Sequence, residues 1–285
     1  MITPFTPEGD VDHQRARSLA RFLAEHGSDG LVVTGTTGES PALSDDEKVA
    51  LYRTVVEAVE NKATIVVAGT GTYDTANSVG LSKRAAETGV DALMAVTPYY
   101  SKPEQEGIAR HFEAIADSTD LPLLVYNIPA RTGRLIEVST LARLASHPQI
   151  VATKDAVMNL DFTSATVARV EGMVVYSGQD SYTLPMMAVG AIGVVSVISH
   201  LAGKEVAAMV AAATKGDYAE ARRLHLALLE LSDACFRESN PSPVKAAMAE
   251  LWEPVGQPRL PLVAASAETL SAVVAAMAAF RAAND

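Results

Sequence analysis

The stretch Ile150-Val151-Ala152-Thr153-Lys154-Asp155 places an amine near the end of an apolar, β-branched run. Such a run predicts a buried strand, and burial disfavours the charged form of a lysine. A lysine that is neutral near pH 7 is a nucleophile for carbonyl carbon and can form a Schiff base. The alternative interpretation is that Lys154 has left the strand and points into solvent. The rest of the chain bears on that choice.

Apolar, β-branched segments of the same kind recur along the chain. Each is followed by a polar or glycine-containing turn and a helical pattern, and consecutive segments start 20 to 34 residues apart, which is room for one βα unit. The eight predicted strands are residues 2–5, 31–35, 65–69, 92–97, 123–127, 150–154, 174–177 and 194–198. Apolar strands that alternate with helices indicate an α/β protein with a parallel sheet. Eight such units predict a (β/α)₈ TIM barrel, with a doubly wound open sheet as the alternative.

Helix signals support this alternation and change character near the C-terminus. Ser44 and Glu47 form a capping box at a predicted helix start. After residue 217 the strand signals stop, and residues 218–236, 243–252 and 267–283 have helical patterns. The sequence therefore predicts a barrel over residues 1–217 that carries the active site, and a C-terminal helical region over 218–285. The alanine-rich apolar faces of that region indicate a subunit interface.

Composition limits the possible partners and compartments. The chain has 285 residues, 48% hydrophobic and 20% charged, with a net charge of −11. An acidic chain without basic runs is a poor candidate for binding nucleic acid or an anionic membrane. One cysteine, Cys235, excludes an intrachain disulfide. No signal peptide is visible, and the uncharged stretch 186–203 is better explained as a helix end, a turn and a strand than as a membrane span. We therefore expect a cytoplasmic protein.

Three predicted strands end in segments with groups suited to binding a small acid. Residues 35–40 (Gly-Thr-Thr-Gly-Glu-Ser) are a glycine turn with two hydroxyls, which could hold a carboxylate but lack the lysine of a P-loop. Residues 97–103 carry two tyrosines, and residues 126–133 carry a tyrosine and an arginine. Tyrosine can relay protons and arginine can clamp a carboxylate. Because active sites of (β/α)₈ barrels lie where the strands end, we expect these groups to converge with Lys154.

Other kinds of site find no support in the sequence. The six histidines are scattered, with neither His-x-His nor His-Glu-x-x-His, so no metal site is predicted. The chain also lacks the Gly-x-Ser-x-Gly nucleophile elbow of serine hydrolases. It lacks the glycine-rich fingerprint of dinucleotide-binding proteins as well.

Five segments, taken together, resemble the family of the 4-hydroxy-tetrahydrodipicolinate synthases, also called dihydrodipicolinate synthases. They are residues 35–40, 97–107, 126–133, 154–156 and 240–245, the last being Asn240-Pro241-Ser242-Pro243-Val244-Lys245. The family belongs to the pyruvate-dependent class I aldolases, which include N-acetylneuraminate lyase. The resemblance covers nearly the whole chain, in order and spacing.

The resemblance implies four catalytic residues. Lys154 would form the imine with pyruvate, and Tyr126 would relay protons and orient the bound pyruvate. Thr36 would link Tyr126 to Tyr100 in a hydroxyl relay. Tyr100 would extend into the site of a neighbouring subunit, so the resemblance also implies a homotetramer.

It also implies four substrate-binding residues and no metal or organic cofactor. Thr37, with backbone amides of its turn, would hold the pyruvate carboxylate. Arg131 would bind the carboxylate of the incoming aldehyde. Gly178 and Val195 fall where the family places main-chain contacts near the lysine.

The reaction implied is the condensation of pyruvate with L-aspartate-4-semialdehyde, which gives 4-hydroxy-tetrahydrodipicolinate on the route to diaminopimelate and lysine. Arg131 favours this synthase, because an aldehyde that bears a carboxylate needs a cation where a polyhydroxylated sugar acid does not. One alternative is another pyruvate-dependent aldolase or lyase that acts on a sugar acid or hydroxy-keto acid. A second is a catalytically silent barrel with a binding role.

The sequence departs from the family at two places. The first predicted strand begins almost at Met1, where relatives carry several more residues. In lysine-regulated relatives, the effector pocket holds imidazole, amide and carboxylate groups, and the matching positions here are Asp45, Lys48, Tyr73 and Asn77. Lys48 would repel a cationic effector and Asn77 lacks a carboxylate to pair with it. We therefore expect little or no feedback inhibition by lysine.

Overall fold

The computed structural model describes residues 1–60 and 63–282, which contain twelve α-helices and seven β-strands. The helices are α1 (His13–Glu25), α2 (Asp45–Val59), α3 (Thr75–Ala86), α4 (Gln105–Ala116), α5 (Pro129–Thr132), α6 (Val138–Leu144), α7 (Leu160–Arg169), α8 (Thr183–Ala188), α9 (Ser199–Thr214), α10 (Tyr218–Cys235), α11 (Ser242–Leu251) and α12 (Ala267–Ala282). The strands are β1 (Gly30–Val33), β2 (Ile65–Gly69), β3 (Ala92–Val96), β4 (Leu123–Asn127), β5 (Ile150–Asp155), β6 (Val174–Ser177) and β7 (Gly193–Val194).

The chain divides into two compact units. The first comprises the described residues of Met1–Thr64 and Val197–Asp285, and the second is Ile65–Ser196. The predicted division into residues 1–217 and 218–285 stays a prediction.

The second unit contains a parallel sheet in which each strand from β2 to β7 pairs with the next along the chain. Its central strand β4 is buried at every residue, as expected for a strand in a parallel sheet covered by helices. Helices α3 to α8 alternate with these strands. The predicted α/β class with a parallel sheet is confirmed.

The last strand is shorter than predicted. Residues 194–198 were expected to form a strand, but β7 ends at Val194. The carbonyls of Val197 and Ile198 instead accept the turn hydrogen bonds that begin α9, from the amides of His200 and Leu201. These two carbonyls are therefore part of the turn that begins α9.

The prediction of a strand at residues 2–5 was wrong. Phe5 makes only an isolated antiparallel bridge with Val11, within the first unit. Pro4 has no N–H to offer a sheet, and the Thr6 and Asp10 carbonyls accept hydrogen bonds that fold the chain back after it. The Phe5 amide donates to the carbonyl of Val255 at 3.0 Å, so this segment is bound to the C-terminal part of the same unit.

The helices of the first unit agree with the sequence. Ser44 and Glu47 form the predicted capping box of α2, with both reciprocal hydrogen bonds present. The three C-terminal helices begin and end within one residue of their predicted bounds, of which residue 283 lies outside the described residues. Across residues 1–60 and 63–282, no helix combines the length and apolar character needed to cross a membrane.

Candidate active site

Lys154 lies on β5, half-buried, with its side chain against a tyrosine of the neighbouring strand. The register pairs Lys154 with Tyr126 of β4 on one side and with Tyr176 of β6 on the other. The amine nitrogen of Lys154 is 4.1 Å from the ring centroid of Tyr126, whose side chain is buried. The amine is therefore held over an aromatic face within the sheet and is not a solvent-pointing group.

A glycine after β6 leaves the space that the lysine side chain occupies. A Cβ at Gly178 would lie 3.2 Å from Cε of Lys154 and 2.8 Å from Cβ of Ala156. The Gly178 amide donates to the Asp155 carbonyl at 2.7 Å. Directly after β7, the amide of Val195 donates to the carbonyl of Ser177, the last residue of β6, at 2.9 Å. Gly178 therefore approaches the Lys154 side chain, and Val195 is hydrogen-bonded to the end of β6. The roles implied for both residues stay predictions.

Asp155, next to the lysine, anchors the chain that follows β5. Its buried carboxylate accepts hydrogen bonds from the Val157 amide at 2.9 Å and the Thr163 hydroxyl at 2.7 Å. Burial raises the pKa of the Asp155 carboxyl, opposed by these two hydrogen bonds. Asp155 itself is the last residue of β5, and Asn159 caps α7.

The loop after β4 presents Arg131 to solvent from a single helical turn. Pro129 opens α5 with its preset φ, and Gly133 ends it in the left-handed region at φ 72°. Asn127 fixes both ends of the loop, because its buried amide group donates to the Ile136 carbonyl and accepts from the Ile136 amide. Arg131 itself is exposed. An exposed guanidinium on a braced turn can receive a carboxylate at the entrance of a site.

The segment after β3 carries an exposed tyrosine in an unusual backbone conformation. Tyr100 is 92% exposed and has φ 67°, and Lys102 follows with φ 48°. A bulky residue in the left-handed region is energetically unfavourable, so the surrounding loop imposes this conformation. The preceding Tyr99 packs edge-on against Tyr73, with ring centroids 5.4 Å apart, and burial raises its pKa. The ring of Tyr100 is thus directed away from its own chain.

The turn at residues 35–40 belongs to the first unit and is held by hydrogen bonds to other residues of that unit. Glu39 has φ 56° and is buried, with its carboxylate bound by the Lys245 amine at 2.6 Å and the Arg259 amide at 2.8 Å. A Cβ at Gly38 would come within 2.9 Å of Cα of Thr34. The turn is therefore closely packed and needs glycine at this position.

The two candidate threonines of this turn differ in their bonding. The Thr37 hydroxyl accepts a hydrogen bond from Nδ2 of Asn240 at 2.8 Å, and the Thr36 carbonyl accepts from the Glu39 amide at 3.1 Å. Within the second unit, the structure brings Lys154, Tyr126 and Gly178 together. The hydroxyl relay from Tyr126 through Thr36 to Tyr100 stays a prediction.

A second buried lysine is distinguished from Lys154 by its partner. Lys245 is only 1% exposed, and burial lowers its pKa while the adjacent Glu39 carboxylate opposes that shift. Its amine also lies 4.1 Å from the ring centroid of Phe5. The Lys245 amine is thus enclosed by an ion pair and an aromatic ring, as expected for a structural cation. In the sequence, Asn240 and Lys245 are recognisable only as part of the segment 240–245, and no local signal indicates their contacts with the turn at residues 35–40.

Comparison with known proteins gives a consistent result along the chain. The model of the dihydrodipicolinate synthetase family matches residues 1–280. The 4-hydroxy-tetrahydrodipicolinate synthase of Moorella thermoacetica is 51% identical over 278 residues, which cover 97% of this chain and 95% of the relative. That of Heliobacterium modesticaldum is 50% identical over 275 residues, covering 96% and 91%.

Solved structures of the family share the fold. Dihydrodipicolinate synthase DapA-2 from Bacillus anthracis superimposes with a TM-score of 0.94 at 44% identity, covering 98% of this chain and 95% of that one. The enzyme from Cyanidioschyzon merolae, solved with lysine bound, gives a TM-score of 0.97 at 41% identity, covering 99% and 96%.

Proposed function

The chain belongs to the dihydrodipicolinate synthetase family, and we propose that it condenses pyruvate with L-aspartate-4-semialdehyde through an imine on Lys154. The product is 4-hydroxy-tetrahydrodipicolinate, an intermediate of diaminopimelate and lysine biosynthesis. The observation that carries the assignment of the lysine is its placement, 4.1 Å from the Tyr126 ring and against the bare backbone of Gly178.

The lysine changes the reactivity of pyruvate. Its neutral amine attacks the keto carbon, and loss of water leaves an iminium ion that withdraws electrons from the neighbouring methyl group. The methyl carbon then loses a proton, and the resulting enamine attacks the aldehyde carbon of the second substrate. The amino group of that substrate displaces Lys154 from the imine carbon, which closes the ring and restores the free lysine. The iminium ion is the electron sink, so the proposal requires neither a metal nor an organic cofactor.

The remaining residues move protons and hold the two carboxylates. Tyr126 supplies the phenol that accepts and returns protons during imine formation, and we assign Thr36 and Tyr100 to the relay that connects it to bulk water. Thr37 binds the pyruvate carboxylate, and Gly178 and Val195 contribute main-chain groups near Lys154. Arg131 receives the carboxylate of the aldehyde. An aldolase for polyhydroxylated sugar acids would have less use for an arginine on the α5 turn.

Three further features belong to the proposal. The seven strands belong to a barrel of the (β/α)₈ type, in which residues that follow parallel strands face one active-site rim. The protein is a homotetramer, an arrangement supported by the 92% exposure of Tyr100, which gives its phenol a role only beside another subunit. Its compartment is the cytoplasm.

The test is pyruvate consumption with L-aspartate-4-semialdehyde by the wild type and by Lys154→Ala. Turnover in the wild type should collapse in the variant, and borohydride should reduce pyruvate onto Lys154 of the wild type alone. The exposed Lys83 at the end of α3 offers a matched control, because Lys83→Ala removes an amine outside the site. A wild type that traps pyruvate but ignores the semialdehyde would indicate another aldolase. One that does neither would indicate a binding protein.

A further inference from the structure

The segment Asn240–Lys245, written in full Asn240-Pro241-Ser242-Pro243-Val244-Lys245, contacts the turn at residues 35–40 from both of its ends. Nδ2 of Asn240 donates to the hydroxyl oxygen of Thr37 at 2.8 Å, and the Lys245 amine donates to the Glu39 carboxylate at 2.6 Å. Both contacts lie within the first unit. The reaction as proposed above gives this segment no role, although it touches the residue that would hold the pyruvate carboxylate.

The direction of the hydrogen bond between Asn240 and Thr37 decides what Thr37 can bind. A threonine hydroxyl has one proton to donate and lone pairs to accept with. Because Nδ2 of Asn240 is the donor, Thr37 accepts in this bond and keeps its own proton for another partner. An ionised carboxylate can only accept. The asparagine therefore leaves the Thr37 hydroxyl in the orientation that a carboxylate requires.

The burial of Asn240 maintains this direction. Asn240 is 6% exposed, and within residues 1–60 and 63–282 its Oδ1 has no hydrogen-bond partner. Turning the amide around would make Thr37 the donor and would leave an NH₂ group, with two donors, in the place of that single carbonyl oxygen. Unsatisfied buried donors are costly, so the orientation in which Asn240 donates to Thr37 is favoured.

The backbone of the turn at residues 35–40 cannot move to re-orient the Thr37 hydroxyl. Glu39 is fixed in the left-handed region by the Lys245 amine and the Arg259 amide, and Gly38 has no room for a side chain. What remains free is the rotation of the Thr37 hydroxyl, and that is the variable that Asn240 controls.

We propose that Asn240 is a positioning residue for pyruvate, which acts by directing the Thr37 hydroxyl proton toward the substrate carboxylate. The role rests on the proposed function, since it concerns the same substrate. Asn240 does not touch the reacting atoms in this assignment. Its removal therefore weakens pyruvate binding and leaves the chemistry at Lys154 intact.

The test compares steady-state kinetics of Asn240→Ala and Asn240→Asp with the wild type. Asn240→Ala should raise KM for pyruvate about tenfold and change KM for the semialdehyde and kcat little, because one hydrogen bond to a charged group is weakened. Asn240→Asp keeps the shape but can only accept, so it should draw the Thr37 proton to itself and raise KM for pyruvate further, about a hundredfold. Borohydride should still trap pyruvate on both variants at saturating substrate.

A double-mutant cycle separates this role from simple structural support. Thr37→Val removes the hydroxyl, so adding Asn240→Ala to it should cause no further rise in KM for pyruvate. Ser232→Ala is the matched control, since it removes another buried polar group of the first unit whose Oγ has no partner among the described residues. That variant should keep the wild-type KM values.

Three results would overturn the role of Asn240 alone. They are an unchanged KM for pyruvate, equal rises in both KM values, and additive effects of Thr37→Val and Asn240→Ala. If Asn240→Ala does not fold, the isosteric Asn240→Asp carries the comparison. A wild type that neither consumes nor traps pyruvate would overturn the proposed function and this role with it.

Discussion

The amine of Lys154 and the ring of Tyr126 are cross-strand partners, with 4.1 Å between the nitrogen and the ring centroid. The Tyr126 carbonyl accepts hydrogen bonds from both the amide and the hydroxyl of Thr97, each at 2.9 Å. The backbone of the tyrosine is thus fixed from the side opposite the lysine. An amine and a phenol carried by neighbouring strands of one sheet keep their relative position, which the proposed proton transfers require.

Tyr126→Phe tests whether the phenol moves protons or only supports the lysine. The ring that packs against Lys154 is retained, so we expect KM for pyruvate to change little. Loss of the proton relay should lower kcat about a hundredfold. Stopped-flow measurement of imine formation together with steady-state kinetics checks this, and an unchanged kcat would remove Tyr126 from the mechanism.

Gly178→Ala should displace the Lys154 side chain by a steric clash, without removing any polar group. The new Cβ would lie 3.2 Å from Cε of Lys154 and 2.8 Å from Cβ of Ala156, so the lysine side chain must shift. We expect kcat to fall about tenfold or more, since displacement of a catalytic group by a fraction of an ångström is costly. Gly80→Ala in α3 is the control, because nothing lies within 4 Å of its added methyl. That variant should keep full activity and gain up to about 1 kcal/mol of stability. Full activity in Gly178→Ala would show that the lysine tolerates the shift.

Arg131→Ala should separate the two substrates. The arginine is exposed on α5, where it can meet the aldehyde but has no role for pyruvate in the proposed site. We expect KM for the semialdehyde to rise about fiftyfold, because the variant loses one charge-assisted hydrogen-bonded pair with the substrate carboxylate. KM for pyruvate should stay unchanged. Arg134 is the matched control, because it donates to the Pro103 carbonyl at 2.9 Å and pairs with Glu104. Arg134→Ala should affect loop stability more than either KM, and equal KM changes in the two variants would contradict the assignment.

Local sequence patterns predicted much of the second unit, and the reasons are visible in particular residues. The strands 123–127 and 150–154 were found almost to the residue because β-branched and apolar side chains run through them and helix signals follow. The false strand at 2–5 came from the same pattern, because the missing N–H of Pro4 outweighs the apolar content. The roles of Asn240 and Lys245 could not be predicted locally. Their partners Thr37 and Glu39 lie 203 and 206 residues away, and only the fold brings them together.

Lysine should be a poor inhibitor of this protein. Lys48, at a position that matches the effector pocket of lysine-regulated relatives, is 5% exposed, and its amine lies 3.2 Å from the Asp45 carboxylate. A fixed cation opposes the binding of a second amine, and Lys48 already pairs with the Asp45 carboxylate. We expect no inhibition by sub-millimolar lysine in the coupled assay. Lys48→His combined with Asn77→Glu should introduce measurable binding by calorimetry, and strong inhibition of the wild type would contradict the prediction.

Stability should fall on mild acidification through His200, which links the N-terminal segment to the start of α9. Its Nε2 accepts a hydrogen bond from the Ile2 amide at 3.0 Å, so the Nδ1 proton is donated to the Val197 carbonyl at 2.8 Å. A protonated ring could not accept from Ile2, and burial lowers the pKa of His200 from 6.5 to about 3.

The sign of the pH dependence follows from the two pKa values. Between pH 6.5 and about 3, the unfolded chain binds a proton at His200 that the folded protein excludes. The contribution of His200 to the free energy of unfolding is therefore fully present above pH 6.5. It decreases as the pH falls, by up to about 1.4 kcal/mol per pH unit for one proton. Urea unfolding at pH 8 and pH 5 should show this loss in the wild type and a smaller one in His200→Gln, whose amide oxygen can still accept from Ile2. The pH 8 data measure the packing cost of the substitution, and identical losses in both proteins would assign the acid sensitivity to other groups.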